Sequence, residues 1–170
     1  MQIDDVVLGL HAGVGLDLAP NGKSCFYVEW AIGELSKVDL PGGAVTTVKT
    51  GLAFPQDVEL DWAAGEIFVS ERTGAIVQVW PGERSKQIAL PGGAPHQLAL
   101  VKKGGQRRLY TVCFDSGKLV RLNLATGTLQ TIASGLGHPV GLVIDATQKY
   151  AYVTEQDTAS LSRIEIATGI

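Results

Sequence analysis

Three glutamates and three histidines are the residues of this sequence best suited to chemistry. Glu29, Glu71 and Glu155 stand in register with one another and with Cys113, at a constant interval of 42 residues. His11, His96 and His138, all the histidines of the chain, each lie just ahead of or at the start of a short apolar or alternating run. Carboxylates gathered at one narrow mouth repel each other, which raises their pKa values or recruits a cation. A mixed set of His and Glu suits zinc or manganese, while carboxylates with water suit calcium or magnesium. The same acids have an alternative, structural use. Each Glu can accept hydrogen bonds from the backbone or loop of the next repeat, recurring because the repeat recurs.

The elements that must position these groups are β-type throughout. Phe26-Tyr27-Val28-Glu29, Ile67-Phe68-Val69-Ser70-Glu71, Leu109-Tyr110-Thr111-Val112-Cys113 and Tyr152-Val153-Thr154-Glu155 are four versions of one strand. Each is preceded by a shorter run (Gly15–Leu18, Asp57–Leu60, Gln97–Leu100, Gly141–Ile144) and a polar or Gly-containing turn. Each is followed by a third run, Leu35–Val38, Ile76–Val79, Leu119–Leu122 or Leu161–Ile164, and the first three of these by a fourth. Apolar residues at period two predict strands with a buried face. No helix-period segment competes, because Pro and Gly interrupt every candidate window. Short antiparallel strands repeating at this interval predict a β-propeller.

The reading is therefore all-β: a single domain over 1–170 with four blades of four antiparallel strands, approximately 14–50, 56–90, 96–133 and 140–170 plus 3–8. The fourth repeat ends after its third strand, and Asp5–Leu10 aligns with Thr47–Leu52 and Thr131–Leu136. The N-terminal strand is expected to pair onto the last blade and close the ring, removing exposed strand edges. A fragment of a larger ring and a half-ring that dimerises into eight blades stand as alternatives.

In such a blade the loop entering strand one and the loop leaving strand two open on the same face of the disc. That topology places His11, His96 and His138 on one rim with Glu29, Glu71 and Glu155. Gln56 and Asp57 extend the rim, and Trp30 and Arg72 form a wall for a small polar ligand. Trp62 and Trp80 read as packing between blades. Asp115 and Asp157 read as loop residues without a partner.

Bulk composition excludes several classes. A formal charge of −3 with no basic run argues against a nucleic-acid footprint, and Lys102-Lys103 with Arg107-Arg108 read as a solvated hairpin tip. No apolar run approaches membrane-spanning length. Cys25 and Cys113 lack metal-type spacing and read as reduced strand residues, and Met1–Asp5 has no signal-peptide character; together they point to the cytoplasm. No Gly-rich phosphate loop or nucleophile elbow is present. The expected partner is a small polar ligand or a protein or peptide at the rim, bound by a monomer or homodimer.

Tyr152-Val153-Thr154-Glu155 together with Gly93-Ala94-Pro95-His96-Gln97-Leu98 resembles the blades of NHL and streptogramin-lyase-like propellers of the YVTN type, with gluconolactonase-type propellers more distant. The resemblance implies a lyase or lactonase in which a magnesium ion and a histidine base on the rim open a cyclic ester. By that similarity Glu155 would hold the metal and His96 or His138 would take the proton. Gln156 and Asp157 follow Glu155 where the family has a second histidine. The binding module, the metal-assisted enzyme and the oligomeric ring unit all remain open from the sequence.

Overall fold

The computed structural model of the chain describes residues 5–82, 84–90 and 92–166. These residues form fifteen strands in four antiparallel sheets. The first sheet runs β1 (Gly13–Leu18), β2 (Ser24–Glu29), β3 (Glu34–Asp39) and β4 (Val45–Lys49). The second is β5 (Pro55–Asp61), β6 (Glu66–Glu71), β7 (Ala75–Val79) and β8 (Ser85–Ala89). The third is β9 (Pro95–Lys103), β10 (Gln106–Cys113), β11 (Lys118–Asn123) and β12 (Leu129–Ser134). The last holds β13 (Pro139–Ile144), β14 (Tyr150–Glu155) and β15 (Ser160–Glu165).

Each sheet is a blade, and the core lies between blades rather than within one. Because successive strand residues point to opposite faces, each central strand serves two neighbours at once. Val69 packs with Phe26, Val28 and Leu35 of the first blade, while Phe68 packs with Leu98, Leu109 and Leu122 of the third. Tyr110 and Val112 face the fourth blade, meeting Leu142, Val153 and Ile164. This explains why the second strands read as near-continuous apolar runs: both faces are covered.

Polar side chains sew the same seams at the first strands. Asp17 Oδ2 accepts the Leu60 N–H at 2.9 Å, Asp57 Oδ2 that of Leu98 at 2.8 Å, Glu59 Oε1 that of Leu100 at 3.2 Å and Gln97 Oε1 that of Leu142 at 2.9 Å. Gly15 permits the approach, since a Cβ there would lie 2.4 Å from the Asp57 Cα.

Two expectations change. Residues 5–8 carry no strand, and β15 pairs with β14 alone among the described residues; residues 3–4 of the expected closing strand lie outside them. The basic hairpin tip is not simply solvated. Lys102 Nζ and Arg107 Nη1 reach across to the fully buried Asp61 carboxylate at 2.5 and 2.9 Å, and Arg107 also pairs with Glu66 at 2.7 Å. Those cations hold the Asp61 carboxyl below its ordinary value against the opposing effect of burial.

Candidate functional site

The repeated glutamates are committed to their own blades. Glu29 Oε2 accepts the His11 N–H at 2.5 Å, Glu71 Oε1 the Ala53 N–H at 2.7 Å and Glu155 Oε2 the Gly137 N–H at 2.6 Å, each over a separation of 18 residues. Second oxygens are used as well: Gln87 donates to Glu71 at 2.9 Å, and the Ser162 hydroxyl donates to Glu155. The structural use of these acids thus accounts for their period, with the loop of the same blade as donor rather than that of the next. The described residues contain no group of three or more His, Cys, Asp or Glu side chains placed to share an ion. The magnesium implied by the resemblance therefore does not fit Glu29, Glu71 and Glu155 as they stand.

The latch has a local consequence. The residue after each latched N–H, Ala12, Phe54 or His138, adopts a left-handed backbone at φ 58°, 53° and 47°. Non-glycine residues seldom occupy that region without surrounding structure to hold them there. The carbonyls of Ala12, Phe54 and His138 then accept the N–H of the residue following the glutamate: Trp30 at 3.0 Å, Arg72 at 3.1 Å and Gln156 at 3.3 Å. Both loops of a blade are so tied together, and the side chains they carry are aimed at a common rim.

On that rim the side chains form a strip crossing all four blades. Trp30 leans on Phe54 with ring centroids 5.1 Å apart. The Arg72 guanidinium carbon sits 5.3 Å from the centroid of Phe114. Phe114 is flanked by His96 at 5.3 Å and stacks on His138 at 4.5 Å. His138 Nδ1 lies 2.7 Å from Asp157 Oδ1, so Asp157 has the partner the sequence did not reveal. His11 stands at the first blade's end of the rim, its ring Nδ1 3.4 Å from Glu29 and its side chain open to solvent.

Beside the strip, the first strands of all four blades surround a cavity of about 210 Å³ that includes Val14, Gln56, Asp57, His96, Gln97 and Val140. His96, one of these lining residues, has a buried Nε2 without a hydrogen-bond partner. Burial, reinforced by the nearby Arg72 charge, holds the His96 pKa below its usual value, so the ring is neutral near neutral pH. Burial raises the Asp57 carboxyl to about 6 against two backbone hydrogen bonds, with the Asp17 charge adding to the rise. The rim thus combines one cation without an ion-pair partner among the described residues (Arg72), a neutral imidazole, aromatic faces and an acid that titrates easily.

Of the residues singled out in the sequence, Gln56, Asp57 and His96 share the axial cavity, and Trp30, Arg72 and His138 join the strip. Phe114, its centre, was missed. It occupies the position after Cys113, as Trp30 and Arg72 follow their glutamates, so the 42-residue interval itself carried the signal. Trp62 and Trp80 do more than pack. With Phe26 and Ile67 they line an apolar cleft of about 480 Å³ between the first two blades, at the opposite ends of their strands.

No family model matches the sequence, and no curated protein matches it. Solved structures do share the fold. Virginiamycin B lyase from Staphylococcus aureus, a catalytically inactive form with quinupristin, superposes with a TM-score of 0.72 at 14% identity over 95% of this chain and 58% of that one. A gluconolactonase from Xanthomonas campestris gives a TM-score of 0.77 at 15% identity over 94% of this chain and 60% of that one. A nidogen/laminin complex gives 0.70 at 16% identity over 93% and 77%. The chain thus has the fold of streptogramin-lyase-like and gluconolactonase propellers, and it spans less than two thirds of the lyase and the gluconolactonase.

Proposed function

We propose that the chain is a ligand-binding propeller module whose axial rim takes a small hydroxylated carboxylate. One observation carries this reading: His96 lines the axial cavity and has a buried Nε2 without a hydrogen-bond partner. A buried polar nitrogen left unsatisfied costs free energy that a ligand hydroxyl would recover. Arg72 stands nearby to receive a carboxylate, and the Phe114 face suits an apolar ring or C–H surface. The gluconolactonase likeness lends this ligand class its plausibility at the level of fold alone. Isothermal titration with gluconate, and with glucose as the uncharged control, tests the reading. Gluconate is expected to bind, and Arg72→Ala to weaken it by tenfold or more, since a charge-assisted hydrogen bond contributes about 1.5–3 kcal/mol. Equal binding of gluconate and glucose, or none of either, contradicts it.

A second reading rests on His138. An imidazole held by a carboxylate at 2.7 Å and stacked on an aromatic ring is oriented as a general base is oriented. In this reading His138 Nε2 removes a proton from the carbon next to the one bearing the ester oxygen of a cyclic ester bound beside Phe114. The C–H electron pair forms a C=C bond as the C–O bond breaks, and the ring opens with a carboxylate as leaving group. Asp157 stabilises the imidazolium that forms. Quinupristin, the molecule bound to the superposed lyase, is the direct substrate to try. Chromatographic loss of the cyclic compound with wild-type protein, abolished in His138→Ala, would support it. An unchanged substrate after prolonged incubation would remove it.

A further inference from the structure

We infer that the apolar cleft between the first two blades is a second binding site, for a flat, uncharged aromatic molecule carrying an N–H or O–H donor at its edge. The site is independent of the axial rim, at the opposite ends of the strands. It exists because one position of the repeat is broken there. Directly after the third strand, Leu40, Leu124 and Ile166 donate their N–H to the carbonyls of Lys23, Arg107 and Lys149, at 2.9, 3.1 and 2.9 Å. The side chain at this position also fills the seam with the preceding blade. Leu124 packs into the core between the second and third blades, and Ile166 into that between the third and fourth.

In the second blade the position is Pro81. Ile67 pairs with Val79, so Gly65 stands opposite Pro81 two residues further out. Proline has no N–H to give, and the Gly65 carbonyl therefore loses the donor that its counterparts have. The aliphatic plug is lost with it. A cleft of about 480 Å³ opens at this seam, with both Pro81 and Gly65 in its wall. Two tryptophans panel the opening. Trp62 stands where the other blades have Pro20, Lys102 and Ala146, and Trp80 where they have Asp39, Asn123 and Glu165. Trp62 is 46% exposed, so an incoming ring can reach its face from solvent. The walls select the ligand. The Asp61 and Glu66 carboxylates are matched by Lys102 and Arg107, which leaves no net charge to attract an ion. Indole faces and apolar side chains favour a flat ring, and the Gly65 carbonyl favours a donor on that ring. The volume is ordinary for a small-molecule site.

Titration of the isotope-labelled chain with indole, followed at the tryptophan side-chain N–H signals, tests the inference. The signals of Trp62 and Trp80 are expected to shift saturably while that of Trp30, on the rim, stays in place. N-methylindole has nearly the same shape without the donor, and is expected to bind more weakly by about threefold or more. Pro81→Leu restores the plug found in the third blade and is expected to abolish the shifts. Trp62→Ala removes an exposed wall without altering the backbone, and is expected to weaken indole by about tenfold, read at Trp80. Shifts that do not saturate below the solubility limit of indole overturn the inference. So does N-methylindole binding as tightly as indole, or undiminished binding to Pro81→Leu or Trp62→Ala.

Discussion

Cys113 occupies the position that holds a glutamate in the other three blades, and the loop opposite has adapted to it. Gly93 faces the sulfur so closely that a Cβ there would lie 2.9 Å from it, and Ala94 does not take the left-handed conformation of Ala12, Phe54 and His138. The comparison isolates what the glutamate does: it holds an N–H and so tilts the next residue toward the rim. Glu155→Ala strands the Gly137 N–H and the Ser162 hydroxyl. It is expected to cost about 1–3 kcal/mol, the usual penalty for a buried group without a partner. Urea denaturation reads the loss, and faster amide exchange at Gly137 locates it. Cys113 itself, buried and with its thiol raised to about 11, is expected to alkylate slowly at neutral pH until the protein is unfolded.

At the scale of the element, the first strands carry acids where a blade core would be expected to be apolar. Asp57 is raised to about 6 and Glu59 to about 7, in both cases chiefly by burial, with neighbouring acids adding to the rise. A carboxyl whose folded pKa lies above its unfolded value binds protons more tightly when folded. Its favourable contribution is complete below the unfolded value and is lost as pH rises through the folded one. Stability is therefore expected to fall between about pH 4 and pH 7, by at most about 3 kcal/mol per carboxyl and by less to the extent that solvent screens these partly exposed groups. Asp57→Asn with Glu59→Gln keeps the acceptor oxygens for Leu98 and Leu100, and is expected to flatten the dependence of the urea midpoint on pH.

The strands themselves were legible because the pattern is local: turn residues and apolar runs recur at a fixed interval. The expected first, second and third runs of every blade lie within observed strands, whereas the N-terminal run expected to close the ring carries no strand over residues 5–8. The pairing of N-terminal residues with β15 was inferred from an alignment of similar runs, which cannot register distance in space. Lys102 and Arg107 were misread for a related reason. Their partner Asp61 lies 41 and 46 residues away, in another blade. Asp157 escaped notice because its partner His138 belongs to the loop entering the same blade, 19 residues earlier.

For the whole molecule, topology decides which side chains can cooperate. Loops from four blades bring Trp30, Arg72, Phe114, His96 and His138 to one rim, while Trp62 and Trp80 flank a separate apolar cleft at the other ends of the strands. By volume alone the cleft is the larger cavity, about 480 Å³ against about 210 Å³ at the axis. The axial site is favoured because one of its lining residues, His96, keeps a polar atom without a partner, whereas in the cleft the Trp80 indole N–H already reaches Glu66 at 3.3 Å. Amide and imidazole chemical-shift mapping during a gluconate titration decides between the two faces most directly. The account expects the His96 ring and the backbone around Arg72, Gln56 and Phe114 to shift together and saturably. Shifts centred on Trp62 and Trp80, with His96 unmoved, would contradict it.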